Sequence, residues 1–173
     1  TGCIKADMND CENVAICFRY KADGDKDVLR QYMDKIDLYV FDANNRLVDQ
    51  RTYNQDALNP AQEAPSFKLP QGTYSVVAVG NAYGKTQVKD LSPTNLSQIY
   101  IQHPNWGTAS AVDGHDHNYM GSKQITVPGS NKFLRDTLDL FSSHINVDIE
   151  IHGLPAPGEA TRAGIPYKLS IEK

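Results

Sequence analysis

The stretch GHDHNY, residues 114–119, places two imidazoles on either side of a carboxylate. His115, Asp116 and His117 could hold a metal ion, since imidazole and carboxylate are both ligands of zinc and its neighbours. A structural zinc wants four ligands, and the other histidines, His103, His144 and His152, lie in separate segments. The plainer reading is a polar surface loop, and no metal ligand or other cofactor is assigned. The three cysteines, Cys3, Cys11 and Cys17, all fall within the first seventeen residues. An odd number leaves at least one outside any intrachain bridge. Cys11 and Cys17 would stand roughly 20 Å apart in an extended chain, against the limit of about 7 Å between Cα atoms of a disulfide. Pairing them needs a turn, for which Asn13 is the one obvious residue. Cys17 is expected as a small buried residue in a strand.

Cys3 has a different chemistry open to it. Thr1-Gly2-Cys3 matches the end of a bacterial lipobox, where a small residue and a glycine precede the cysteine that receives lipid. Thr1-Gly2 would then be the last trace of a signal peptide, and the polar stretch that follows Cys3 a tether. Stable anchoring takes more than one acyl chain, which a lipoprotein cysteine carries. For catalysis the chain offers little: it has no G-x-S-x-G, H-E-x-x-H, G-x-G-x-x-G or P-loop, and no Cys/His constellation. Alternation assigns Asp37, Asp49, Asp148 and Glu150 to solvent faces rather than to a convergent acid–base set. The chain is therefore not expected to be an enzyme. Tyr39, Tyr53, Tyr83, Tyr100, Trp106 and Tyr119 could make a sugar-stacking platform, although tyrosine is also an ordinary strand residue. Trp106, in a loop between Asn105 and Gly107, is the residue whose replacement would test glycan binding.

Composition narrows the rest. At 173 residues and 40% hydrophobic, the chain suits one domain, or one and the start of another, with a core that needs no staples. Its longest aliphatic run, Val76 to Val79, is far too short to span a bilayer. The net charge is -4. Lys21, Lys26, Arg30 and Lys35 alternate with Asp23, Asp25, Asp27 and Asp34, so no basic patch for nucleic acid is present.

The elements that must carry these residues show a period of two. Val14, Ile16, Phe18 and Tyr20 share one face of a strand. DVLRQYM reads as a short helix capped by Asp25 or Asp27, with Val28, Leu29, Tyr32 and Met33 inward. KIDLYVFDANNRLVDQRTY reads as a hairpin, Ile36, Leu38 and Val40 alternating before the Asn44-Asn45 turn and Leu47, Asp49, Arg51 and Tyr53 after it. Residues 73–79 are apolar on both faces, which predicts a central strand covered on both sides. LSQIYIQ, SKQITVPG, FLRDTLDL, HINVDIEIHG and IPYKLSIEK read as further strands, with residues 103–121 a long loop between them. The sum is an all-β sandwich or barrel of about seven to ten short strands. Residues 1–13 are expected as a lipoprotein tether and 14–173 as a single β-sandwich domain. The alternation runs to Glu172-Lys173, and a second β-sandwich domain is expected beyond it.

In their order, several stretches resemble the FimB/Mfa-type fimbrial anchor family, minor fimbrial subunit lipoproteins of Bacteroides-like bacteria. DMNDC with Cys11, VAICFRY, IDLYVFDANNRLV and above all LPQGTYSVVAVGN carry the resemblance, with YMGSKQITV, FLRDT and INVDIEIHGL after them. It implies a transthyretin-like Greek-key β-sandwich and a surface-exposed, non-enzymatic lipoprotein of the cell outer membrane, with Cys3 the site of palmitate-type lipid attachment. It also implies a role in pilus assembly and cell adhesion, joining other fimbrial subunits by strand addition and meeting the membrane only through its lipid. The alternative is a surface lipoprotein module binding glycan or host protein through the loop HPNWGTASAVDGHDHNY.

Overall fold

A computed structural model of the chain describes residues 11–58, 64–108, 112–129, 132–144 and 152. Ten strands and one helical turn run in the order β1 (Val14–Arg19), α1 (Leu29–Tyr32), β2 (Lys35–Phe41), β3 (Leu47–Asn54), β4 (Ser66–Phe67), β5 (Gly72–Gly80), β6 (Gln87–Lys89), β7 (Tyr100–Gln102), β8 (Tyr119–Val127), β9 (Leu134–Asp139) and β10 (Phe141–Ser142). The all-β sandwich expected from alternation is present. The Ile145–Ile151 alternation, the expected strand IPYKLSIEK, Cys3 and most of the expected tether lie outside the described residues.

Two sheets face each other. One has the order β10-β8-β5-β2-β3, the other β4-β1-β9. The core between them joins Ile36, Leu38, Val40, Val76, Ala78 and Ile125 of the larger sheet to Val14, Ile16, Phe67 and Leu138 of the smaller. A second apolar cluster lies on the opposite face of the larger sheet. There Tyr39, Phe41, Val77 and Val79 meet Ala82, Ile99 and the partly buried Val88, Leu96 and Ile101, so the β6–β7 hairpin and the 3-10 turn Leu96–Gln98 form a third layer. This explains why β2 and β5 are apolar on both faces. It also corrects the solvent-facing assignment of Asp37, which is 6% exposed. Its carboxylate pairs with Lys35 at 3.0 Å and accepts from Thr52 Oγ1 at 2.6 Å, the pairing a buried charge requires.

The β2–β3 hairpin is as expected, but its turn is not a two-residue primed one. Asn45 alone of the pair has a positive φ, 59°. Asp42 closes the turn: Oδ1 accepts from the Asn44 and Arg46 amides at 2.8 and 3.0 Å. Helix α1 has no side chain capping its first turn from the N-cap position; instead Asp27 Oδ1, one residue earlier, accepts from Leu29 N at 3.0 Å. Leu29 and Met33 point inward while Tyr32 is exposed, a correction to its expected burial.

Strand β1 joins two distant parts of the chain. It runs antiparallel to β4 and parallel to β9, with Val14 opposite both Phe67 and Leu134. Asn13 secures its start: the side chain donates to Leu69 O at 2.8 Å and accepts from Leu69 N at 2.9 Å, while its backbone bonds Phe67 O and Leu134 N. Arg19 at the other end grips Asp139 through Nε and Nη2, at 2.5 and 2.9 Å. The hydrogen bond from Arg19 holds the Asp139 carboxyl below the usual carboxylate range. After β9 the chain crosses from the smaller sheet to the larger to form β10. It crosses at Gly121 of β8, where an added Cβ would collide with the Asp139 carbonyl. Among the described residues, β3 and β9 each have one long edge without a strand beside it.

Candidate functional site

One end of the sandwich gathers the loop after β5, the loop before β8 and the residues after β10. Two buried asparagines bind them together. Asn81 sits directly after β5 with a left-handed φ of 56°, a conformation asparagine tolerates better than most residues. Its Nδ2 donates to Tyr32 O at 2.7 Å and His117 O at 3.2 Å, and its Oδ1 accepts from Asp34 N at 3.2 Å. Asn118 donates to Asn81 O at 3.1 Å. Its own carbonyl accepts from Ser143 N at 2.9 Å and lies 3.1 Å from His144 Nδ1. Nothing in the sequence pattern singled these residues out; the only sign was the Gly-Asn that closes the LPQGTYSVVAVGN stretch.

Asp116, the carboxylate between the two imidazoles, is engaged in joining loops. Its Oδ2 accepts from the amides of Tyr83 and Lys85 at 2.9 and 3.0 Å and lies 2.8 Å from Thr86 Oγ1. It therefore pins its own loop to the loop after β5. His115 and His117 flank it with stacked rings, centroids 5.1 Å apart and planes 6° from parallel. His144, from after β10, joins them at 4.7 Å from His117 and 5.8 Å from His115. His103 lines the same open cavity of about 310 Å³ as His115, Asp116 and His144. In this arrangement of side chains no three His, Cys, Asp or Glu groups among the described residues converge on one point. Tyr119 touches His144 at 5.4 Å and Tyr20 at 4.8 Å, and Tyr20 touches Tyr32 at 5.4 Å, so a run of rings leads from α1 to the loop. Burial pushes the Tyr119 and Tyr20 hydroxyls up from their ordinary value.

The proposed aromatic platform is not assembled. Tyr39, Tyr53 and Tyr119 are buried, whereas Tyr83, Tyr100 and Trp106 are exposed. No ring contact among the described residues joins any two of the six. Trp106, at 67% exposure, stands in a loop turned by Gly107 at a φ of 77°. Cys11 and Cys17 are not bridged to each other. Cys17 lies in β1 but is half-buried rather than buried, because it lines a cavity of about 330 Å³ with Phe18, Leu29 and Leu58.

The open strand edges are the other candidate surface. Gln50 in β3 gives its N–H to the carboxylate of Asp49 at 2.8 Å, and Thr137 in β9 gives its N–H to Asp136 at 2.7 Å. Each edge is thus blunted by the aspartate that precedes the donor, a protection against uncontrolled pairing.

The family model for fimbrillin-A associated anchor proteins Mfa1 and Mfa2 matches residues 8–173. The chain belongs to this anchor family. Solved structures agree on the fold. One, described provisionally as a polysaccharide-binding protein of Bacteroides thetaiotaomicron, superposes with a TM-score of 0.65 at 19% identity, covering 76% of this chain and 48% of that one. One described provisionally as an adhesin of Bacteroides ovatus gives 0.63 at 22% identity, covering 80% and 49%. The fimbrial anchor protein Mfa2 of Porphyromonas gingivalis gives 0.59 at 15% identity, covering 76% and 51%. This member of the anchor family thus spans about half the length of the solved chains it matches. No curated protein sequence matches it significantly.

Proposed function

We propose that the chain forms part of a fimbrial anchor or minor fimbrial subunit, a non-enzymatic surface protein acting in pilus assembly and adhesion. The observation that carries this reading is the family match over residues 8–173. In the finer form of the proposal, Cys3 carries a covalent lipid that holds the protein at the outer membrane. Any tether from that lipid ends by residue 11 or 12, since Asn13 is already bonded into the smaller sheet. Another fimbrial subunit docks by adding a strand to β3, where backbone hydrogen bonds supply affinity and alternate side chains supply specificity. In support, β3 is eight residues long, and no described strand pairs with its outer edge. The Asp49 carboxylate on Gln50 N would be displaced by the incoming strand.

The test is made in the producing cells. Proline at Gln50 removes an N–H that β2 does not use, so the variant should fold while strand addition fails. Surface fimbriae should fall several-fold with Gln50→Pro and stay unchanged with Gln50→Ala. Wild-type fimbriation by the proline variant would remove β3 as the docking edge. Intact-mass measurement of the native protein reads the anchor: acyl chains on Cys3 are expected, and a free thiol there would end that part of the proposal.

A further inference from the structure

We propose that His115, His117 and His144 form a binding site for a divalent transition-metal ion of the zinc class. The histidines come from two segments, one before β8 and one after β10, that the fold brings to a single place. Imidazole nitrogens sit about 2.0–2.1 Å from zinc, which puts the ring centroids of two histidines on one tetrahedral ion about 5 Å apart. The three centroid separations here are 4.7, 5.1 and 5.8 Å.

The backbone around the cluster is fixed while the rings are free to turn. Asp116 holds the loop through the Tyr83 and Lys85 amides, and Asn81 holds the His117 carbonyl. His115 and His117 are both exposed, so rotation about their side-chain bonds meets little packing. Their rings stack in parallel here, and rotation about the side-chain bonds is the movement that would bring them to converge on an ion. His144 is already oriented. Its Nδ1 is 3.1 Å from the carbonyl oxygen of Asn118, which can only accept. Nδ1 therefore carries the proton and leaves the Nε2 lone pair for a metal, the outer-shell arrangement that ligating histidines ordinarily have.

The chemistry also selects the ion. Calcium and magnesium need several oxygen ligands, but the cluster is built of imidazoles: Asp116 spends Oδ2 on three donors of the loop after β5, and Asp113 faces Lys85 at 3.7 Å. Neutral imidazoles suit zinc, copper and nickel. Water, or His103 from across the cavity, completes the fourth position. The bound ion would tie the loop before β8 to the residues after β10 and make that end of the sandwich rigid.

The site is tested on the 173-residue chain made without a histidine tag, titrated calorimetrically with Zn²⁺ at pH 7.5, with Ca²⁺ and Mg²⁺ as comparisons. One Zn²⁺ per chain should bind, and neither Ca²⁺ nor Mg²⁺. Binding should weaken at least tenfold in His144→Ala and in the His115→Ala/His117→Ala double variant. Unchanged far-ultraviolet spectra of the variants would show that the fold survives. A wild-type dissociation constant weaker than about 0.1 mM, or Zn²⁺ binding that survives the double substitution, would overturn the site.

Discussion

Tyr53 carries its hydroxyl into the core between the sheets. The ring is 9% exposed and packs 5.5 Å from Phe18. Its oxygen is the one buried side-chain polar atom among the described residues without a hydrogen-bond partner. Desolvation is the first cause that pushes this hydroxyl up to about 12, and the same holds for Tyr39. The sign follows from linkage. Unfolded tyrosine loses its proton near about pH 10, whereas the folded groups keep theirs. Their contribution is complete below pH 10 and is lost as pH rises towards about 12. Tyr53→Phe removes the unpaired oxygen and keeps the ring. It should raise unfolding stability by about 1 kcal/mol at neutral pH and flatten part of the alkaline decline, measured by urea denaturation across that range. A loss of stability on Tyr53→Phe would show that the hydroxyl has a partner after all.

Gly121 shows how an element can depend on one missing side chain. The β9–β10 crossover passes over it, with the Asp139 carbonyl occupying the space of a Cβ. Gly121→Val should force the crossover away, release β10 and bring down His144 with it. A stability loss of about 2–4 kcal/mol is expected, measured by chemical denaturation, and an unchanged midpoint would refute the close approach. Local pattern revealed much at this scale. The β2–β3 hairpin was legible because Asn44-Asn45 interrupts two clean alternations, and β5 was legible as doubly covered because Val76 and Val77 are adjacent and both apolar. The partner of β1 was not legible. Alternation tells which face of Val14–Arg19 is buried, but not that Leu134–Asp139 will lie parallel to it. For the same reason His144 could not be joined to His115 and His117 from the sequence. Its position is set by β10 pairing with β8, with Phe141 opposite Met120. The burial of Asp37 was not legible either, because a third layer covers the face that alternation assigns to water.

Three layers with unequal support should open unequally across the whole molecule. The β6–β7 hairpin pairs only three residues with three and rests on the larger sheet through partly buried side chains. Strands β2 and β5 sit in the middle of that sheet with six registered pairs between them. Amide hydrogen exchange should therefore be faster at Val88 and Ile101 than at Leu38 and Val77 by a factor of 100 or more, about 2.7 kcal/mol of local opening. Equal protection would mean that the third layer unfolds only with the core. The parallel pairing of β1 with β9 has a consequence in time. Residue 14 leaves the ribosome, and any export channel, long before residue 134 with which it must register. The smaller sheet cannot close until nearly everything between them has been delivered, and separations of this size slow folding. During that interval β1, with Val14, Ile16 and Phe18 uncovered, is the segment most in need of a holding chaperone.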